Sequence, residues 1–155
     1  MTILYIVPAA DAAGNQLDWA IRLLLDHQAF LPSITLAGAS RGMIEALLGK
    51  DPIKVTAYSS IKDALAKKGY GTPDGIGKAL NGPRNYLKHA DDEALDPYSA
   101  DLQSMAIAEV ILATLSLYRF DHSVVSEWQR FYDWIKINCP DLGSGMEDLT
   151  IARPR

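Results

Sequence analysis

Cysteine occurs once in the 155 residues, at Cys139, so no intrachain disulfide forms and no cysteine-based zinc site can be assembled. Such a chain suits a reducing compartment, and a cytoplasmic location is expected. Positive charge is also scarce: 15 Lys and Arg stand against 19 Asp and Glu, a net charge of −4. That balance excludes a surface broadly coated in cations, the usual basis of nonspecific nucleic-acid binding. Any RNA contact has to be local. Long apolar runs are missing too. MTILYIVPAA, residues 1–10, is interrupted by Pro8 after about seven positions, too short for a signal or membrane segment. The first basic residue is Arg22. No membrane partner is expected.

Apolar residues make up 48% of the chain and charged residues 22%, an ordinary soluble balance. The length suits one domain, 1–155, with a core that needs neither disulfides nor a structural metal. From Asn15 to His27, Leu17, Ala20, Ile21 and Leu24 recur at helical spacing, while Asp18, Arg22 and Asp26 form an opposite stripe of i,i+4 charge pairs. A second helix, with Pro32 in its first turn, runs through SITLAGASRGMIEALLGK to a stop at Gly49. Its small residues, Ala37 to Ser40 and Gly42, suit close approach by a neighbouring helix.

DPIKVTAYSS, residues 51–60, alternates apolar and polar side chains as a short strand would. Ser60 to Lys68 reads as a short helix ended by Gly69, and Thr72-Pro73 as the start of another. Gly82-Pro83 reads as a break and restart that puts Arg84 in a first helical turn. Asp96-Pro97 precedes a helix to about Arg119, apolar on almost every face from Met105 to Tyr118, hence central. Asp121 or Ser123 is expected to cap a last helix, with Val124, Val125, Trp128, Phe131, Tyr132 and Ile135 as its core stripe. Asn138-Cys139-Pro140 ends it. The expectation is an all-α, up-and-down bundle of five to six helices with a minor short β element. Its core spans about 15–138, and the tail, 140–155, is loosely attached.

Familiar chemistry motifs fail. GYGTPDGIGKAL, residues 69–80, would need glycine at Thr72 and a hydroxyl residue at Ala79 to be a phosphate loop. Asp91, Asp92, Glu93 and Asp96 read as a solvated acidic surface rather than a metal site. Cys139, before a proline at a helix end, has no setting for a nucleophile. Glu45 lies near the apolar side of the second helix, as an interhelix partner or as a neighbour of the site that follows.

NGPRNYLKHA, residues 81–90, contains Arg84, Asn85 and His89 in the form Arg-x4-His with an amide after the arginine. His89 would move protons near neutral pH, Arg84 would grip a phosphate bidentately beside free amides of a helix starting at Pro83, and Asn85 would orient the imidazole. Tyr86 and Lys88 would add a stacking face and a backbone contact. The bland alternative is a helix start in which Arg84 and Asn85 cap, Tyr86 and Leu87 pack inward, and His89 satisfies a carbonyl. Spacing alone is a weak signal: Arg22 and His27, in RLLLDH, share it inside an amphipathic helix, with leucine after the arginine. In a regular helix Arg84 and His89 would lie about 140° apart, so a compact site needs irregular backbone, a long reach or a second subunit.

This motif in an all-helical chain resembles the HEPN (higher eukaryote and prokaryote nucleotide-binding) superfamily, many of whose members are metal-independent ribonucleases. The resemblance covers about residues 15–136. It implies an endoribonuclease for single-stranded RNA, a toxin or stress effector, with Arg84, Asn85 and His89 catalytic, Tyr86 and Lys88 at the substrate, and no metal or other cofactor. It also implies a homodimer whose two motifs face one cleft, and by analogy an antitoxin-like protein partner. The competing expectation is a non-catalytic helical module that dimerises or binds a ligand or protein through the small-residue face of the second helix.

Overall fold

In the computed structural model, which describes residues 6–49, 57–69, 71–88 and 101–147, the stripe of apolar residues from Leu17 to Leu24 lies within α1 (Ala9–His27). The helix starts six residues before Asn15, through an alanine-rich turn that needs no apolar periodicity. α1 ends at Gln28, in the left-handed region at φ 50°, and the chain reverses directly into α2 (Phe30–Leu48), which stops at Gly49 as its sequence signals. There follow α3 (Ala57–Lys67), α4 (Pro73–Lys88), α5 (Leu102–Asp121), α6 (Trp128–Asn138) and α7 (Pro140–Glu147). The all-α class holds, with seven helices rather than five or six and no strand among the described residues. Most of the alternating stretch, residues 51–56, lies outside the described residues, while Tyr58 belongs to α3.

α2 packs along both α1 and α5, and these three helices hold the core. Ala37, Gly38 and Ser40 are buried there, so the small side chains serve packing within the chain; Ala39 alone of that run is exposed. Ser33 ties α2 to α1, donating its hydroxyl to the Ala20 carbonyl at 2.8 Å. α5 is buried continuously from Leu112 to Leu117, as a central helix should be. It begins at Asp101, whose carboxylate accepts the Ser104 N–H at 3.1 Å. The Asp96-Pro97 start signal lies outside the described residues. α3 and α4 pack on each other and lean on α5 and α2 respectively.

The expected cap of the last helix is replaced by a distant one. Asp121 and Ser123 precede the start of α6, and Asp18 of α1 accepts the Glu127 N–H at 2.8 Å and the Ser126 hydroxyl at 2.9 Å. Arg22 donates to Glu127 at 2.9 Å, and Arg130 bonds both Asp26 and Glu127. The stripe on α1 therefore pairs with α6, not within itself. Trp128, Phe131, Tyr132 and Ile135 are buried beneath these contacts. The tail needs correction as well: residues 140–147 form α7, packed on α6, where a Cβ on Gly143 would come within 3.1 Å of Lys136 Cα. A larger residue there would push the two helices apart by a few tenths of an ångström.

Hydrogen bonds from Arg130 hold the Asp26 carboxyl below its ordinary range; burial pushes Glu127 up, but bonds from Arg22 and Arg130 outweigh it and hold that carboxyl low too. Both folded values lie below the unfolded ones, so the stability they add is complete above the unfolded carboxylate value of about 4 and is lost as pH falls through the folded values. Thermal unfolding followed from about pH 6 to about pH 3 should show a steeper loss in wild type than in Arg130→Gln. Parallel curves would contradict it.

Candidate functional site

A charged residue occupies the core register of α2. Ala37, Arg41, Ile44 and Leu48 follow helical spacing, and the Arg41 side chain is 1% exposed. A guanidinium so deeply buried must be paired or it would cost several kcal/mol. Glu109 of α5 supplies the partner, its Oε1 3.0 Å from Arg41 Nε, an ion pair by distance although the N–H is not aligned for a hydrogen bond. Glu45, one turn along α2, lies 3.9 Å from the same nitrogen. It thus joins a cluster beneath α4.

From this pair a polar chain runs outward. Arg41 Nη2 donates to Asn81 Oδ1 at 2.9 Å, Asn81 Nδ2 donates to the Tyr58 hydroxyl at 2.7 Å, and that hydroxyl donates to the Gly77 carbonyl at 3.1 Å. Each amide end has one partner, and the phenol accepts from Asn81 and donates to Gly77, so the proton directions follow from the arginine, which can only donate. The guanidinium also sits 5.5 Å from the Tyr58 ring centroid. A Cβ at 77 would meet the Tyr58 hydroxyl at 2.9 Å, so any larger residue would displace the phenol from this chain. Three helices, α2, α3 and α4, are locked together by this chain.

Above it lies an open groove of about 230 Å³ lined by Tyr58 and Lys62 of α3 and by Pro73, Asp74, Gly77, Lys78, Asn81 and Asn85 of α4. Thr72 accepts the Gly75 N–H at 3.2 Å, which fixes the start of α4 as its sequence suggests. The restart at Gly82-Pro83 does not occur. α4 is continuous from Pro73 to Lys88, so residue 84 sits near its C-terminal end and no free amides face a ligand from Pro83. The proline removes one N–H from the ladder, and the packing of half-buried Leu87 and the Asn81 bonds keep the helix going.

Of the residues expected to be catalytic or substrate-binding, Asn85 is exposed and lies at the end of the groove. Arg84, Tyr86 and Lys88 belong to α4, but their side chains lie outside the described residues, as does His89 altogether. The acidic stretch from Asp91 to Asp96 is likewise outside them. Arg41, Glu109, Asn81 and Tyr58 escape motif reading. A signal for two of them was present: Arg41 falls on the core stripe of α2, and Glu109 is the one charge between Met105 and Tyr118, so two opposite charges in two buried faces predict each other.

A second cavity, about 240 Å³, is apolar and lies among Ile61, Leu80, Ile107, Ile111, Cys139 and Leu142. Among the described residues, no group of three or more His, Cys, Asp or Glu is placed to hold a metal, and no helix is long and apolar enough to cross a membrane. Comparison with family models, curated proteins and solved structures returns no match.

Proposed function

We propose that the chain is a metal-independent endoribonuclease of the HEPN type, cutting single-stranded RNA as a homodimer. The observation that carries this reading is the placement of Asn85, the motif's amide, at the open end of a groove bearing Lys62 and Lys78, on a helix fixed from behind by the Arg41–Asn81 bond. A helix that must present catalytic groups needs a rigid seat. Here a buried ion pair and three helices provide it.

The chemistry assigned to the motif balances without a cofactor. His89 takes the proton of the 2′-hydroxyl as its oxygen bonds to phosphorus, the bond to the 5′-oxygen breaks, and that oxygen leaves with a proton from water, to which the imidazolium returns the one it took. Arg84 stabilises the charge developing on the phosphoryl oxygens, and Asn85 orients the imidazole or an oxygen. A homodimer, as the resemblance implies, would bring the facing motif of a second copy to complete the cleft. Tyr86 and Lys88 contact the strand beside it.

The test is incubation of a labelled single-stranded RNA with the protein in EDTA, beside the same sequence carrying 2′-O-methyl groups. Cleavage of the first alone, with 2′,3′-cyclic phosphate ends, is expected. Failure to cut by folded protein, cutting of the methylated strand, or cutting abolished by EDTA would each sink the reading.

A further inference from the structure

We infer that the groove between α3 and α4 is a phosphate-binding subsite for the backbone of single-stranded RNA, an assignment that rests on the ribonuclease reading above. Its shape comes from spacing. Pro73, Gly77, Asn81 and Asn85 recur every four residues and so run along one stripe of α4, and Gly77 in the middle has no side chain to fill the trough. Tyr58 and Lys62, also four apart, form the facing wall on α3. At about 230 Å³ the trough is below the roughly 300–1,000 Å³ of pockets that enclose a whole small molecule, and it is open along its length. That suits a phosphate and part of its sugar in a passing strand.

Charge on the rim fits an anion. Lys62 Nζ lies 5.9 Å from the Tyr58 ring centroid, with Arg41 on the same ring from the buried side. Lys78 pairs with Asp74 at 3.0 Å, but these side chains are 79% and 81% exposed, and such pairs open at little cost. Arg41 Nη1 makes no hydrogen bond among the described residues, leaving a buried donor behind the groove floor. Glu109 offsets most of the charge on Arg41, so the two lysines supply the attraction and the Arg41–Asn81–Tyr58 chain holds the wall in place. The trough ends at Asn85, the motif's amide, so on the ribonuclease reading a phosphate held there belongs to the strand that is cut. A chain of net charge −4 has no general affinity for RNA, so loss of two local cations should be plainly visible.

The experiment is fluorescence anisotropy of a labelled 2′-O-methyl single-stranded RNA, which has no free 2′-hydroxyl and is not cut, over a salt series. Wild type is compared with Lys62→Gln, Lys78→Gln and Asp74→Asn, each checked for foldedness by circular dichroism. Each lysine variant should bind about fivefold more weakly at low salt, with a salt slope shallower by about 0.7 for the lost phosphate contact. Asp74→Asn should bind more tightly, because the competitor for Lys78 is gone. Unchanged affinity in both lysine variants, or no binding by wild type, overturns the subsite. Cleavage of unmodified RNA is read separately. A wild type that cuts while the lysine variants bind normally removes the groove and keeps the ribonuclease; one that binds through the lysines and cuts nothing keeps the groove and removes the ribonuclease.

Discussion

Arg41→Ala should lower the stability of the fold by about 3–5 kcal/mol, the range for breaking a buried ion pair from one side. The arginine is fully buried, and its removal takes away the guanidinium that lies 3.0 Å from Glu109 and 3.9 Å from Glu45, with Asn81 losing its donor. Domains of this size are stable by roughly 5–15 kcal/mol, so a loss of that size is a fifth of the total or more. Urea unfolding followed by far-ultraviolet circular dichroism measures it. A cost below about 1 kcal/mol would mean that the pair is not desolvated as described. The double replacement Arg41→Met with Glu109→Leu should recover most of the loss, since two apolar residues of similar length remove both members of the buried pair. Failure of the double variant to recover would point to the Asn81–Tyr58 chain, rather than the charges, as what the core needs.

His89→Ala should slow RNA cleavage by about 10²–10⁴-fold, the contribution of a positioned proton-transfer group. The variant should fold normally and still bind the 2′-O-methyl strand, because the groove residues are untouched. His27, the exposed last residue of α1, and His122, the exposed left-handed cap of α5, provide the control. Their alanine variants should cut at the wild-type rate. Equal losses from all three histidines, or none from His89, would refute the assigned role. Arg84→Lys should also be slow, because an ammonium lacks the planar fork that grips two phosphoryl oxygens.

Elements whose signals are local were legible in the sequence. The apolar stripe of α1, the stop at Gly49, the Thr72-Pro73 start of α4 and the continuous burial of α5 all follow from side chains near in sequence. Where the governing contact is distant, pattern reading failed. α6 takes its cap from Asp18, so Asp121 and Ser123 misled. Pro83 resembles a breaker, yet the Asn81 and Leu87 contacts carry α4 past it. α7 has poor intrinsic propensity, and its packing against Lys136 through Gly143 was invisible until α6 was placed. For the site, the motif showed only one side of α4. The buried cluster beneath it required pairing two charges on different helices, Arg41 and Glu109, that are far apart in sequence.

The capping of α6 by α1 also bears on the order in which the molecule can be completed. A helix of eleven residues is marginal alone, and this one has its entry point specified by a carboxylate made more than a hundred residues earlier. During synthesis Asp18, Arg22 and Asp26 emerge early and stay without their partners until residues 126–130 follow. The polar face of the first helix is therefore completed only when the sixth arrives, after the helices of the α1–α2–α5 core have all been made.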